Sequence, residues 1–391
     1  MSKIDLKNFV DINIQQHISK SVNGTRDTVV LFTEDTLAST NEYDEYVLTF
    51  NGNTYNTIEV NANSYEKVFV DKPNTLQYLK VYFDNGGINA LVICGISISN
   101  MTIKDNTKIT DDILSYLDNK YIYIAYVSNN ENLQNNYNEL KNIIKYRNSK
   151  ESIYGINEKI ILASTKVETD IEKVKNFAVK FSSIQGAEMT IAAYFSKTNI
   201  NKTNSIYDYA FTQEKMTSIV KNKEVNFEGE DITDDKFKTI LDNNMNVDIM
   251  LAETVRNCGG NNKDGSDLIN NFVRIILHQT VTDSLINLLT QKIKNSTGIS
   301  KIYTVLSQEL EKYLNNGYLT TDEIWTDEDL VINGYTIIEK GTALTSGYII
   351  KVLPYNSLTE EEKSNNSVPQ IYIILADQYG IRKITINGEI I

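Results

Sequence analysis

Between residues 120 and 255, short apolar runs alternate with stretches of helical spacing, and this alternation confines the chain to few folds. Tyr121–Val127 (YIYIAYV) is apolar throughout. Leu133, Tyr137, Leu140 and Ile144 then recur three or four residues apart, the spacing of one helix face. Lys159–Ala163 (KIILA) is a second run, Ile171, Val174, Phe177 and Phe181 mark a second helix, and Met189–Phe195 (MTIAAYF) is a third run. In order this reads β-α-β-α-β, which calls for a parallel sheet with crossover helices, because parallel neighbours cannot be joined by a tight turn. A further unit follows: Thr233 is placed to cap a helix carrying Asp234 and Asp235 in its first turn, and Asn246–Leu251 is the next strand. The expected fold class is α/β, α+β overall, with a βαβ-type sheet core.

The flanks add elements of both kinds. Thr28–Phe32, Tyr46–Phe50, Val68–Val70, Leu79–Phe83 and Ala90–Cys94 read as strands, with Asp84-Asn85-Gly86-Gly87 as a hairpin turn. Gly259–Gly265 reads as a loop, with Ser266 or Asp267 capping a long helix whose apolar face is Leu268, Phe272, Ile275, Ile276, Leu285, Leu288 and Leu289. A second helix covers Ile299–Leu314, and strands return at Tyr348–Val352, Ile371–Ala376 and from Ile381 onward. The division expected is a strand arm and linker (1–27), a β-rich region (28–118), an α/β middle domain (119–255) and a C-terminal domain with two helices, terminal strands and an arm (256–391).

The two ends pose a question of pairing. Val10, Ile12 and Ile14 alternate with polar residues, the period of a half-buried strand, and the polar run Ser19–Asp27 follows with no hairpin back onto it. At the other end Ile384 and Ile386 alternate in the same way, shortly after Ile381. The linker from Gln15 to Asp27 is about 13 residues and reaches ~40 Å if extended. A strand on such a tether can pair within its own molecule or on the edge of another copy.

Charge and motifs exclude several functions. The 391 residues carry a formal net charge of -13, against nucleic acid as the main partner. Cys94 and Cys258 are the two cysteines, too few for a disulfide framework. Met1–Phe9 is polar, with no apolar core of a signal peptide, and no apolar run is long enough to enter a membrane as a span. There is no G-x-x-x-x-G-K-[ST], and the first βα junctions, Ser128-Asn129-Asn130 and Ser164-Thr165-Lys166, are not glycine-rich, so no nucleotide cofactor is expected. His17 and His278 are the two histidines; with two scattered cysteines they make no familiar zinc site, and no G-x-S-x-G suggests a nucleophile. Asp231, Asp234, Asp235 and Glu360–Glu362 read as solvated faces. Asp264-Gly265-Ser266-Asp267 lacks the calcium-loop spacing and reads as a turn with a helix cap. No catalytic, cofactor-binding or metal residue is expected, and the chain reads as a non-enzyme.

The segments Gly260–Ile269, Gly298–Ile302, Leu310–Leu319, Gly347–Ile350 and the strand pair Gln370–Ala376 and Gly380–Ile386, together with Ala192–Lys197 and Asp208–Thr212, resemble in their order a divergent family of contractile tail sheath proteins of bacteriophages. The resemblance is densest from about residue 190 onward. One departure is Glu360–Ser367, which has no Arg where such sheaths often carry one. The resemblance implies a subunit of stacked hexameric rings around a tail tube, with baseplate and tail terminator proteins as further partners, no nucleic acid and no membrane insertion. It implies a place in the virion's contractile tail, after synthesis in the host bacterial cytoplasm. It also implies that the arms, carried by Val10, Ile12, Ile14, Ile381, Ile384 and Ile386, add strands to a sheet of another subunit, and that Asp264, Gly265, Ser266 and Asp267 lie near the tube. Three rival readings are the sheath of a phage-tail-like bacteriocin or other contractile injection system, an α/β enzyme, which a pocket with paired carboxylates between 120 and 255 would favour, and a tube or baseplate protein, for which the helices at 266–314 are awkward.

Overall fold

The computed structural model describes residues 13–14, 28–37, 45–50, 53–96, 121–129, 131–149, 159–198, 209–210, 212, 214, 234–251, 254–289, 295–321, 323–364 and 368–376. Nine strands form the central sheet. In chain order they are β2 (Thr28–Thr33), β3 (Glu45–Phe50), β4 (Asn53–Asn61), β5 (Asn89–Cys94), β6 (Tyr123–Tyr126), β7 (Ile160–Thr165), β8 (Phe177–Phe181), β9 (Asn246–Leu251) and β10 (Thr254–Cys258), numbered after a short β1 (Asn13–Ile14). Their spatial order is β10-β9-β8-β7-β6-β2-β5-β4-β3. The run from β9 to β5 is parallel, with antiparallel β10 at one side and the β3–β4 hairpin at the other. The α/β class holds.

Period two sorts the sheet's side chains into two cores. Val29 and Leu31 enter one core and Val30 and Phe32 the other; Ala90, Val92 and Leu91, Ile93 divide likewise. Helices cover both faces, which is why the parallel strands are apolar almost throughout. On one face lie α1 (Tyr65–Val68), α2 (Pro73–Asp84), α4 (Met189–Ser196), α6 (Leu268–Leu289) and α7 (Asn295–Asn315). The other face is covered by α3 (Leu133–Ser149) and α5 (Asp234–Asp242). Tyr123, Phe195 and Phe272 pack ring on ring at 5.4 and 4.8 Å, joining β6, α4 and α6. Among the described residues no helix is long and apolar enough to cross a membrane.

Four segments differ from the sequence reading. Leu79–Phe83 lies in α2, not in a strand. Pro73 opens this helix at a position where its missing N–H is no loss. The buried Thr75, Tyr78, Leu79 and Tyr82 are spaced three or four apart. The expected hairpin turn is a helix cap: Gly86 N–H donates to Phe83 O and Gly87 N–H to Tyr82 O, with Gly86 at φ 91°, the Schellman pattern. Val68–Val70 belongs to the short helix α1 and its exit, with Tyr65, Val68 and Phe69 buried on one side. Phe177–Phe181 is strand β8, because Phe177, Val179 and Phe181 point to one core and Ala178 to the other, while Ile171 is 77% exposed. Met189–Phe195 is helix α4, buried nearly all round, so its sequence carries no amphipathic signal. The parallel sheet survives these exchanges because β6, β7 and β8 remain parallel neighbours.

Beyond α7 the chain builds a smaller unit. β11 (Leu330–Ile332) and β12 (Tyr335–Ile338) form a hairpin turning at Asn333 and Gly334, both at positive φ. β13 (Tyr348–Val352) and β14 (Ile371–Leu375) pair antiparallel, with the short helix α8 (Glu360–Ser364) between them. Ile337, Ile338, Leu353, Tyr372 and Ile374 form a third core here.

Candidate functional site

In open α/β sheets ligands bind outside the carboxyl ends of the strands, where strand order reverses. Here that point is β2, with β5 on one side and β6 on the other. Its polar groups are bonded to one another. Thr33 and Thr75 share a 2.7 Å hydroxyl contact, and Thr75 Oγ1 donates to Asp35 Oδ2 at 2.5 Å. Gln185 Nε2 spans the crevice, donating to Ser128 O at 2.5 Å and Asn74 Oδ1 at 2.9 Å. Tyr78 OH meets Ser128 Oγ at 2.9 Å. Ser164 Oγ donates at 2.5 Å to buried Glu188, whose pKa is raised by burial. Gly186, at φ 78°, brings its backbone so close to α2 that a Cβ would sit 3.0 Å from Tyr78 Cα. These contacts brace α2 and α4 against the sheet edge.

A second polar group lies inside the sheet. Lys180 of β8 is fully buried, with Nζ 2.6 Å from Glu214 Oε2 and 2.6 Å from Asp248 Oδ1. Thr190 Oγ1, Tyr209 OH and Asn257 Oδ1 complete its surroundings at 3.1, 3.3 and 3.3 Å. Tyr209 OH donates to the other oxygen of Glu214 at 2.5 Å. Asp248 and Asn257 face each other across β9 and β10. Burial works to lower the Lys180 pKa, but the carboxylates of Asp248 and Glu214 hold it above the ordinary lysine value. Burial, then the neighbouring Glu214 carboxylate, push Asp248 up to about 8 against the pull of Lys180. The cluster therefore favours the charged lysine while holding the Asp248 carboxyl toward its protonated form.

The loop 259–267 joins β10 to α6. Gly259, at φ 117°, lies where a Cβ would come within 2.9 Å of Asn246 Oδ1. Asp264 Oδ1 accepts from Ser266 N–H and Oγ–H, at 3.1 and 2.6 Å. Asp267 Oδ1 caps α6, accepting from Ile269 and Asn270 N–H. Gly265, at φ 91°, allows the turn between them. Lys263 is 1% exposed, and its Nζ donates to the backbone carbonyls of Asp170 and Asn243. Asp170 in turn accepts from Tyr137 and Lys141 on α3. The loop is thereby tied to the β7–β8 connection and to the end of α5.

The terminal sheet is small. β1 lies parallel on the edge of β14, Asn13 opposite Tyr372 and Ile14 opposite Ile373, giving the order β1-β14-β13. Of the expected arm residues, Ile14 is thus placed on this sheet. Val10, Ile12, Ile381, Ile384 and Ile386 fall outside the described residues. Asp264, Gly265, Ser266 and Asp267 are brought together as a local turn and cap, remote in sequence from the arm. His278 lies within α6, and Cys94 and Cys258 are buried and not joined in a disulfide.

Sequence reasoning missed Lys180, Glu214, Asp248 and the anchoring role of Lys263. A lysine inside FAVKF and an aspartate inside NVDIML are the available signal, since a charge within an apolar strand must find a partner. Reading 171–181 as a helix hid the first. Among the described residues no group of His, Cys, Asp and Glu is placed to hold a metal ion.

No protein family matches the sequence, and no curated protein matches it. Among solved structures the chain is similar to a sheath tail protein from Desulfitobacterium hafniense, at 10% sequence identity and a TM-score of 0.47, over 82% of this chain and 94% of that one.

Proposed function

We propose that the chain is the structural subunit of a contractile phage tail sheath, polymerising as stacked hexameric rings around a tail tube and contracting to drive the tube through the host envelope. The observation that carries this reading is the seat of β1. A strand from the beginning of the sequence adds to the edge of β14, near the end of the sequence, through two register pairs. Its backbone bonds are the same whether that edge belongs to its own chain or to another copy. Choice between the two is then set by tether length and local concentration, and subunits packed in a ring raise that concentration. A heterologous exchange of this kind propagates into rings and helices instead of closing a dimer.

Among the described strands β13 pairs with β14 alone. Its other edge is the seat we assign to residues 381–391, so that residues 1 to about 20 and 381–391 together make an intersubunit sheet. The order of the segments from Ala192 to Ile386 supports the same reading, with tube, baseplate and terminator proteins as partners and the loop Asp264–Asp267 toward the tube. A bacteriocin or other contractile injector would use the same subunit, and the neighbouring genes separate it from a phage. An enzyme is less favoured, because the polar groups at the carboxyl edge of the sheet are spent on one another.

Negative-stain electron microscopy of the purified protein tests the proposal. Hollow striated cylinders are expected, and dispersed monomers at high concentration would contradict it. Protein lacking residues 1–18 should remain a soluble monomer; normal tubes from it would refute the arm's role.

A further inference from the structure

The cluster around Lys180 has more chemistry than a structural ion pair needs. We infer that Lys180 Nζ and Asp248 Cγ are positioned to form an intramolecular amide bond, with Glu214 as the proton relay, stapling β8 to β9. Nζ stands 2.6 Å from Asp248 Oδ1, so the amine nitrogen already touches the carboxyl it would attack. Glu214 Oε2 is 2.6 Å from the same nitrogen, and the other oxygen of Glu214 accepts from Tyr209 OH. All three ionisable side chains are buried, out of reach of bulk water.

The protonation states suit aminolysis. A carboxylate resists attack by an amine, but Asp248 is held as the neutral acid by burial and by Glu214. Burial alone opposes the Lys180 ammonium although the carboxylates retain it at rest, and moving one proton from it to Glu214 leaves three neutral groups, the arrangement in which the amine can react. The free amine then attacks Cγ of Asp248. The Nζ–Cγ bond forms, the Cγ–OH bond breaks, and Glu214 passes a proton to the departing hydroxyl, which leaves as water. Glu214 recovers a proton from the new amide nitrogen. One ammonium, one carboxylate and one carboxylic acid become one amide, one carboxylic acid and one water, with no oxidant and no other reactant.

The position gives the bond a mechanical use. Among the described residues β8 and β9 are joined through two register pairs, Lys180 with Asn246 and Phe181 with Val247. Through that short ladder the hairpin β9–β10 hangs on the sheet. A covalent link one step beyond it would hold the hairpin when force is applied.

Mass spectrometry of the full-length wild-type protein, after incubation at neutral pH, tests the inference. The expected result is a mass one water below that of the sequence. Tryptic mapping should give a branched peptide joining Lys180 to Asp248, with no cleavage after Lys180. Glu214→Gln should abolish or strongly slow the loss, and Lys180→Arg should abolish it. A wild-type protein of full sequence mass with normal cleavage after Lys180 would overturn the inference, whatever the variants do. Loss of ammonia with the branch at Asn257 would overturn the choice of acceptor.

Discussion

Replacing Lys263 by methionine separates what a buried lysine contributes by its bonds from what it costs by its charge. Its Nζ donates to the carbonyls of Asp170 and Asn243, two segments with no other link to this loop through that side chain. Leaving two part-buried carbonyls without a donor costs about 2 kcal/mol each. Against this, burial lowers the lysine pKa from 10.5 to about 8, with Asp170 opposing and Lys141 adding to the shift. That shift corresponds to about 3 kcal/mol of penalty on the charged form, reduced to about 2 once residual solvent is allowed for. Lys263→Met should therefore destabilise the protein by about 2 kcal/mol near neutral pH, read from urea unfolding followed by far-ultraviolet circular dichroism. The pH dependence is a second signature. Between about 8 and 10.5 the unfolded chain keeps a proton that the folded chain has shed, so the lysine's contribution to stability rises with pH across that window. The gap between wild type and variant should widen by about 1–2 kcal/mol from about pH 7.5 to about pH 10. A variant as stable as wild type, or a gap flat with pH, would refute the reasoning.

Gly87→Ala should cost more than about 2 kcal/mol in thermal unfolding, because a Cβ there would lie 2.3 Å from the Tyr82 ring, within the cap that turns α2 into β5. Glu188→Gln should be tolerated near neutral pH. The raised pKa of Glu188 means its contribution is complete below the unfolded carboxylate's pKa and is lost as pH rises through the folded value, so the glutamine variant should show a flatter stability profile as pH rises above the unfolded carboxylate's pKa. Ile14→Pro removes a backbone donor from β1 and should abolish polymer formation in sedimentation assays while leaving the circular dichroism of the body unchanged; polymers at the wild-type level would count against the arm.

Legibility followed burial. β2 and β7 were plain because every residue is buried and each holds an unbroken run of four apolar residues, and α3 because its Tyr137, Leu140 and Ile144 lie on a single buried face. α4 looked like a strand because a helix sunk in the core shows no polar face. The register of β8 was hidden because Val174, Phe177 and Phe181 fit helical spacing while Val179 fits only a strand. α2 was lost to its ending: Asn-Gly-Gly serves a Schellman cap as readily as a hairpin, and only the contacts of Tyr78 and Tyr82 decide between them. Glu214 could not be linked to Lys180 from sequence, since they meet only when the segment around Tyr209 folds over β8.

The most direct test of strand exchange uses two single variants, Asn13→Cys in one isotopically light chain and Tyr372→Cys in one heavy chain, assembled together and oxidised. These positions are register partners, close enough for a disulfide, and the native Cys94 and Cys258 are buried. The account predicts disulfide-linked pairs joining a light chain to a heavy one. Absence of such pairs, together with ready closure within a single chain carrying both substitutions, would contradict it.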